Sequence, residues 1–184
     1  MKNFESIGVQ IPNILLPAPE IDLHKWSVIA CDQFTSEPDY WQKVAEIVGN
    51  APSTFHITLP EIYLGKPEET IRLNLTQAKM KEYQSSGILV DHEGMIYVER
   101  TVDGKKRRGL MLALDLEQYD FSKGSQSLIR ATEGTILDRL PPRIKIRENA
   151  SLELPHILDL IDDPEDSVIG PIEESSTDLP IVYD

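Results

Sequence analysis

The chain has a single cysteine, Cys31, among its 184 residues, so no internal disulfide can brace it and a disulfide-stapled secreted scaffold is excluded. No apolar run approaches the roughly 20 residues needed to span a bilayer. The opening residues MKNFESIGVQ lack the apolar centre of a secretory signal. These absences lead to the expectation of a cytoplasmic protein with no membrane partner. Basic residues are absent from one whole region, since no Lys or Arg follows Arg147. Of the 31 acidic residues, 11 lie in residues 148–184, which leaves 20 acids against 18 bases in residues 1–147. The net charge of −13 therefore belongs mainly to the tail. A polyanion such as DNA meets repulsion there and finds no broad basic face, which disfavours a nucleic-acid partner.

Familiar loops are missing as well. There is no GxGxxG or GxxxxGK[ST] phosphate loop and no GxSxG elbow. There is no HExxH or CxxC, and His24, His56, His92 and His156 are scattered, so no zinc set assembles from sequence-near ligands.

What is present alternates between short apolar runs and helical periodicity, which predicts an α/β (α+β) domain. Residues 13–16 and 26–31 read as buried strands, joined through Pro17 and Pro19. Ser36 and Pro38 announce a helix whose apolar face is Tyr40, Trp41, Val44, Ile47 and Val48, stopped by Gly49. Residues 55–59 alternate like a strand. A second helix starts near Pro67, with Ile71, Leu75, Ala78 and Tyr83 on one face and Gly87 at its end. Asp103-Gly104 between residues 95–102 and 107–116 signals a β-hairpin, and residues 88–90 suggest a further strand. A helix is expected to begin at Pro141-Pro142, and residues 157–161 read as another buried strand. The expected organisation is a domain over residues 1–172 with a mixed sheet, a hairpin and flanking helices. An acidic linker and the start of a continuing strand then occupy 173–184.

Two segments carry candidate chemistry. Residues 130–147 gather Arg130, Thr132, Glu133, Thr135, Arg139 and Arg143 with further cations. Arginine forks and threonine hydroxyls suit phosphate oxygens, and Glu133 suits a magnesium ion or a transferred proton. The alternative is a solvated basic helix after a capping turn. Asp32 sits in the strand-to-helix handover at residues 30–36, where ligands gather in α/β folds; the alternative there is a turn residue. Lys105 to Arg108 read as a solvated hairpin tip, or else as a nucleic-acid patch. Asp159 to Asp166 read as a solvated loop, or else as a cation site.

Several strings together resemble a known family. They are Ile14 to Pro17, WSVIACDQFTS at 26–36, Tyr40-Trp41, Gly49 to Thr54, RATEGT at 130–135, Arg139 to Arg143 and Ile161 to Pro164. In this order, and over nearly the whole chain, they resemble the bacterial and archaeal family called domain of unknown function 1015. That family looks distantly similar to the ParB/sulfiredoxin-like fold, which includes free-serine kinases. The resemblance implies a nucleotide-dependent phosphotransferase of small molecules such as amino acids, using ATP or another nucleotide with Mg²⁺. Glu133, Thr135 and Arg139 match the family's acid-hydroxyl-arginine pattern, and Asp32 carries over in the same way. The family's downstream Asp-Gly motif with histidines is not found, and Asp103-Gly104-Lys105-Lys106 is the nearest string. The chain is therefore expected to be an N-terminal part whose catalytic loop lies beyond Asp184. A non-catalytic ligand-binding or regulatory domain is the rival reading. A cut sheet edge that pairs two copies would make a homo-oligomer.

Overall fold

A computed structural model of the chain describes residues 5–29, 34, 37–120, 122–131, 134, 136–154 and 156–183, except for the side chains of Arg139 and Pro142. The elements run β1 (Val9–Gln10), β2 (Ile14–Pro17), α1 (Leu23–Trp26), α2 (Pro38–Val48), α3 (Thr54–Ile57), α4 (Glu69–Ser85), β3 (Leu89–His92), β4 (Ile96–Val102), β5 (Lys105–Met111), β6 (Ala113–Leu114), α5 (Leu140–Arg147) and α6 (Ile169–Ser176). Short 3₁₀ turns lie at Glu5–Ile7, Glu61–Tyr63, Leu116–Gln118 and Leu137–Arg139. Helix and strand are mixed, as an α+β chain requires. The expected mixed sheet is replaced, among the described residues, by three two-stranded sheets, β1–β6, β2–β3 and β4–β5. The β1–β6 and β4–β5 pairs are antiparallel.

The chain forms two compact units. One comprises Leu15–Asp91 and Thr135–Ile157. Its core is Ile57, Met80, Tyr83 and Leu89, with Leu15, Trp26, Ile88, Ala150, Leu152 and Leu154 packed around it. Helix α2 follows its sequence signals: Pro38 opens it and Gly49, at φ 55°, closes it. Glu37 holds the cap position without a side-chain bond, and the expected cap Ser36 lies outside the described residues. Trp41 and Val48 are buried, but Ile47 is exposed.

Three readings need correction in this unit. Residues 26–29 are not a strand. Asp22 caps a helical turn through the His24 amide at 3.0 Å, and the Trp26 carbonyl is taken by the hydroxyls of Ser53 (3.3 Å) and Thr54 (2.8 Å) instead of a ladder partner. Residues 54–57 are also helical, because the Ser53 hydroxyl caps the turn by accepting from the Phe55 amide at 3.2 Å. In α4 the buried stripe is Leu73, Thr76, Met80 and Tyr83. Ile71 and Leu75 point outward, since the helix is apolar on two sides and only the packed neighbours choose between them.

The other unit comprises Met1–Ile14, His92–Gly134 and Leu158–Asp184. The expected hairpin is there. Asp103 (φ 50°) and Gly104 (φ 72°) both take the left-handed backbone of a tight two-residue turn. Residues 157–161 are irregular and exposed, not a buried strand. Helix α6 crosses residue 172, where the sequence suggests the start of a linker. It is anchored by Asp163, whose carboxylate accepts from the amides of Ser167 (2.9 Å), Val168 (2.9 Å) and Ile169 (3.3 Å).

Candidate functional site

Of the residues singled out in the sequence, Asp32, Thr132, Glu133 and Thr135 lie outside the described residues, as does the side chain of Arg139. Arg130 is exposed on irregular backbone in the unit that holds the hairpin. Arg143 lies on α5 in the other unit.

The expected helix after Leu140 forms as α5 and brings Arg143, Lys145 and Arg147 along one short segment. Each cation meets a carboxylate. Arg143 reaches Glu61 at 3.3 Å, Lys145 reaches Glu69 at 2.9 Å and Arg147 reaches Glu153 at 2.7 Å. The Gln77 side-chain amide donates to the Ile146 carbonyl at 3.3 Å, so α5 touches α4 there. Glu69 occupies the first turn of α4, where the helix dipole favours an anion. Its carboxylate also accepts the Gly65 amide at 2.7 Å. The Lys145 hydrogen bond, then that of Gly65, hold the Glu69 carboxyl below its ordinary range. All three cations remain roughly half exposed in their side chains, at 49%, 47% and 46%. Such pairs are each worth only about 0–1 kcal/mol. Sequence reading found the cations of this cluster but not Glu61 and Glu69.

The turn that carries Glu61 also carries Tyr63, whose ring lies 3.6 Å beneath the Arg72 guanidinium. Arg72 in turn borders a small cavity of about 130 Å³ lined by Phe55, His56, Thr58, Leu59, Pro60, Leu75 and Thr76. That volume is below the roughly 300–1,000 Å³ of a drug-sized pocket, so it admits a small group and not a whole nucleotide. His56 is partly buried, with an Nε2 atom that has no partner. Burial pushes its imidazole below the ordinary value, against the carbonyls of Gly49 and Ala51, which favour the charged form.

The acidic run from Asp159 to Asp166 has structural duties at two positions. Asp163 caps α6 and Asp166 pairs with Arg108 at 3.1 Å. Among the described residues no His, Cys, Asp and Glu group is placed to hold a metal ion, and no helix is long and apolar enough to cross a membrane.

Residues 15–184 match the model of a family described as protein of unknown function, DUF1015. No curated protein matches the chain, and no solved structure matches it either. The expected likeness to the ParB/sulfiredoxin-like fold therefore has no structural match behind it.

Proposed function

On the premise that the chain belongs to the DUF1015 family, we propose that it is a ligand-binding or regulatory domain for a phosphate-bearing small molecule of the nucleotide type. The observation that carries this reading is the set of exchangeable cations on α5. Arg143 and Lys145 leave Glu61 and Glu69 and take the phosphate oxygens, Arg143 through its two-pronged fork. Thr135 and Arg139 are the further contacts suggested by the family pattern. The reading makes an unusual prediction: Glu61→Gln removes a competitor for Arg143 and tightens phosphate binding several-fold, whereas Arg143→Ala weakens it about tenfold. Calorimetric titration with ATP, ADP and CTP, with and without Mg²⁺, measures both. A ligand at about 100 times its dissociation constant also stabilises the fold by roughly 2.7 kcal/mol. Absence of binding by all three nucleotides, or identical affinities for both variants, sinks the proposal.

Phosphoryl transfer to a small molecule, an amino acid included, is the catalytic extension of the same reading, suggested by the family resemblance. When bound, Mg²⁺ would neutralise developing phosphate charge. Glu133 would orient that metal or the accepting hydroxyl, and Asp32 is the other candidate that the family resemblance suggests. Transfer of label from ATP should be lost in Glu133→Ala; full retention would remove Glu133 from the reaction.

A further inference from the structure

In a chain of net charge −13, one hairpin gathers Arg100, Lys105, Lys106, Arg107 and Arg108. Its register sorts them, because directly opposed residues share a face. Tyr97–Leu110, Glu99–Arg108 and Thr101–Lys106 form one face. Val98–Gly109, Arg100–Arg107 and Val102–Lys105 form the other. The first face is neutralised within the chain. Lys106 pairs with Glu99 at 3.0 Å and with Glu173 at 3.5 Å, and Arg108 pairs with Asp166 and Glu173. The second face is not neutralised. Arg100, Lys105 and Arg107 are exposed, and none of them makes an ion pair with another described residue. Arg100 and Arg107 stand directly opposite each other, an arrangement that destabilises a hairpin unless an anion intervenes. Val98 and Val102 on the same face are 43% and 48% exposed. An anionic and partly aliphatic occupant fits this face.

The chain itself exposes such a segment. Ile157, Leu158, Leu160 and Ile161 are 74%, 78%, 81% and 57% exposed, with Asp159 and Asp162 among them. No backbone hydrogen bond joins residues 156–162 to another described residue. Drawn out as a strand, the segment would present Ile157, Asp159 and Ile161 on one side and Leu158, Leu160 and Asp162 on the other. Each side then offers two aliphatic groups and one carboxylate.

We propose that residues 157–162 of one copy of this chain add as a strand, in a second copy, to the edge of β5 that no other described strand pairs. A carboxylate then sits beside Arg107 and Lys105 on the face that carries the opposed arginine pair. The exchange is reciprocal and produces a symmetric dimer. The partner is a second copy because the charges of the two surfaces are complementary within this one sequence.

Sedimentation equilibrium from about 1 to 200 µM covers the micromolar range expected of such an interface. The wild-type chain should dimerise. Arg100→Glu with Arg107→Glu, and separately Asp159→Lys with Asp162→Lys, should each weaken self-association at least about tenfold, which is 1.4 kcal/mol. Mixing the two charge-reversed proteins should restore a one-to-one complex, which a merely structural role for these residues would not do. Circular dichroism checks that each variant is folded. If the hairpin variant does not fold, the aspartate variant decides alone, because its segment makes no internal bonds. A wild-type chain that stays monomeric at the highest concentration overturns the proposal. So does an aspartate variant that dimerises unchanged, or a hairpin face that takes nucleic acid in preference to a second copy.

Discussion

At the scale of single residues, Ser53 carries more than its size suggests. It is fully buried. Its amide donates to the Tyr83 hydroxyl at 3.0 Å, and its own hydroxyl donates to the Trp26 carbonyl while capping α3. Tyr83→Phe would leave a buried amide unpaired, at a cost of about 1–3 kcal/mol. Ser53→Ala would remove a cap and a buried bond, at about 1–2 kcal/mol. Because both changes touch one node, the double variant should cost less than the two single costs combined. Urea denaturation of the three variants measures this, and strict additivity would show that the two side chains act separately. His56 contributes with a definite sign. Its folded pKa lies below the unfolded 6.5 because of burial, so the stability it provides is present above about pH 6.5 and is lost as the pH falls through the folded value. His56→Gln should flatten the dependence of stability on pH below that point. An unchanged slope would assign the effect to another group.

At the scale of elements, the hairpin and α6 illustrate two kinds of stop and start. Gly104 takes φ 72° with open space around a would-be Cβ, so Gly104→Ala costs backbone strain of about 1–2 kcal/mol and no clash. Helix α6 depends on Asp163, whose carboxyl is lowered from 3.8 to about 2 chiefly by the Val168 amide, with Ser167 and Ile169 adding to it. A depressed carboxyl stabilises above its unfolded pKa, so this anchor is complete above about pH 4 and fails between about pH 4 and 2. Amide exchange in residues 167–176 should accelerate over that window, and Asp163→Ala should abolish the acid dependence. The elements legible in the sequence were those with local causes: Pro38 and Gly49 around α2, Asp103-Gly104 in the hairpin, and Pro141-Pro142 at α5. Those that escaped have distant causes. The Trp26 carbonyl is held from residues 53 and 54, and α6 is held to the hairpin through the pairing of Glu173 with Arg108. The cluster on α5 was half legible for the same reason. Its cations lie in one short segment, but the carboxylates that meet Arg143 and Lys145 lie 82 and 76 residues away.

At the scale of the whole molecule, burial is unevenly shared. Among the described residues, every buried apolar side chain, from Ile14 and Ala18 through Trp41, Ile57 and Met80 to Leu89, falls between residues 14 and 89, and all but Ile14 lie in the unit of α2 and α4. The hairpin and α6, by contrast, are joined by partly exposed ion pairs. Apolar burial supplies most of the free energy that resists opening, and partly exposed pairs supply little. The two units should therefore open separately, with α2 and α4 protected nearly to the global limit and residues 96–111 exchanging through a cheaper local opening. Met80→Ala separates the cases, because truncating a core methionine costs about 2–5 kcal/mol. Hydrogen exchange read by mass spectrometry should then lose protection in α2 and α4 while the hairpin keeps its own rate. If instead hairpin and helices share one protection level and lose it together, the chain opens as one cooperative body.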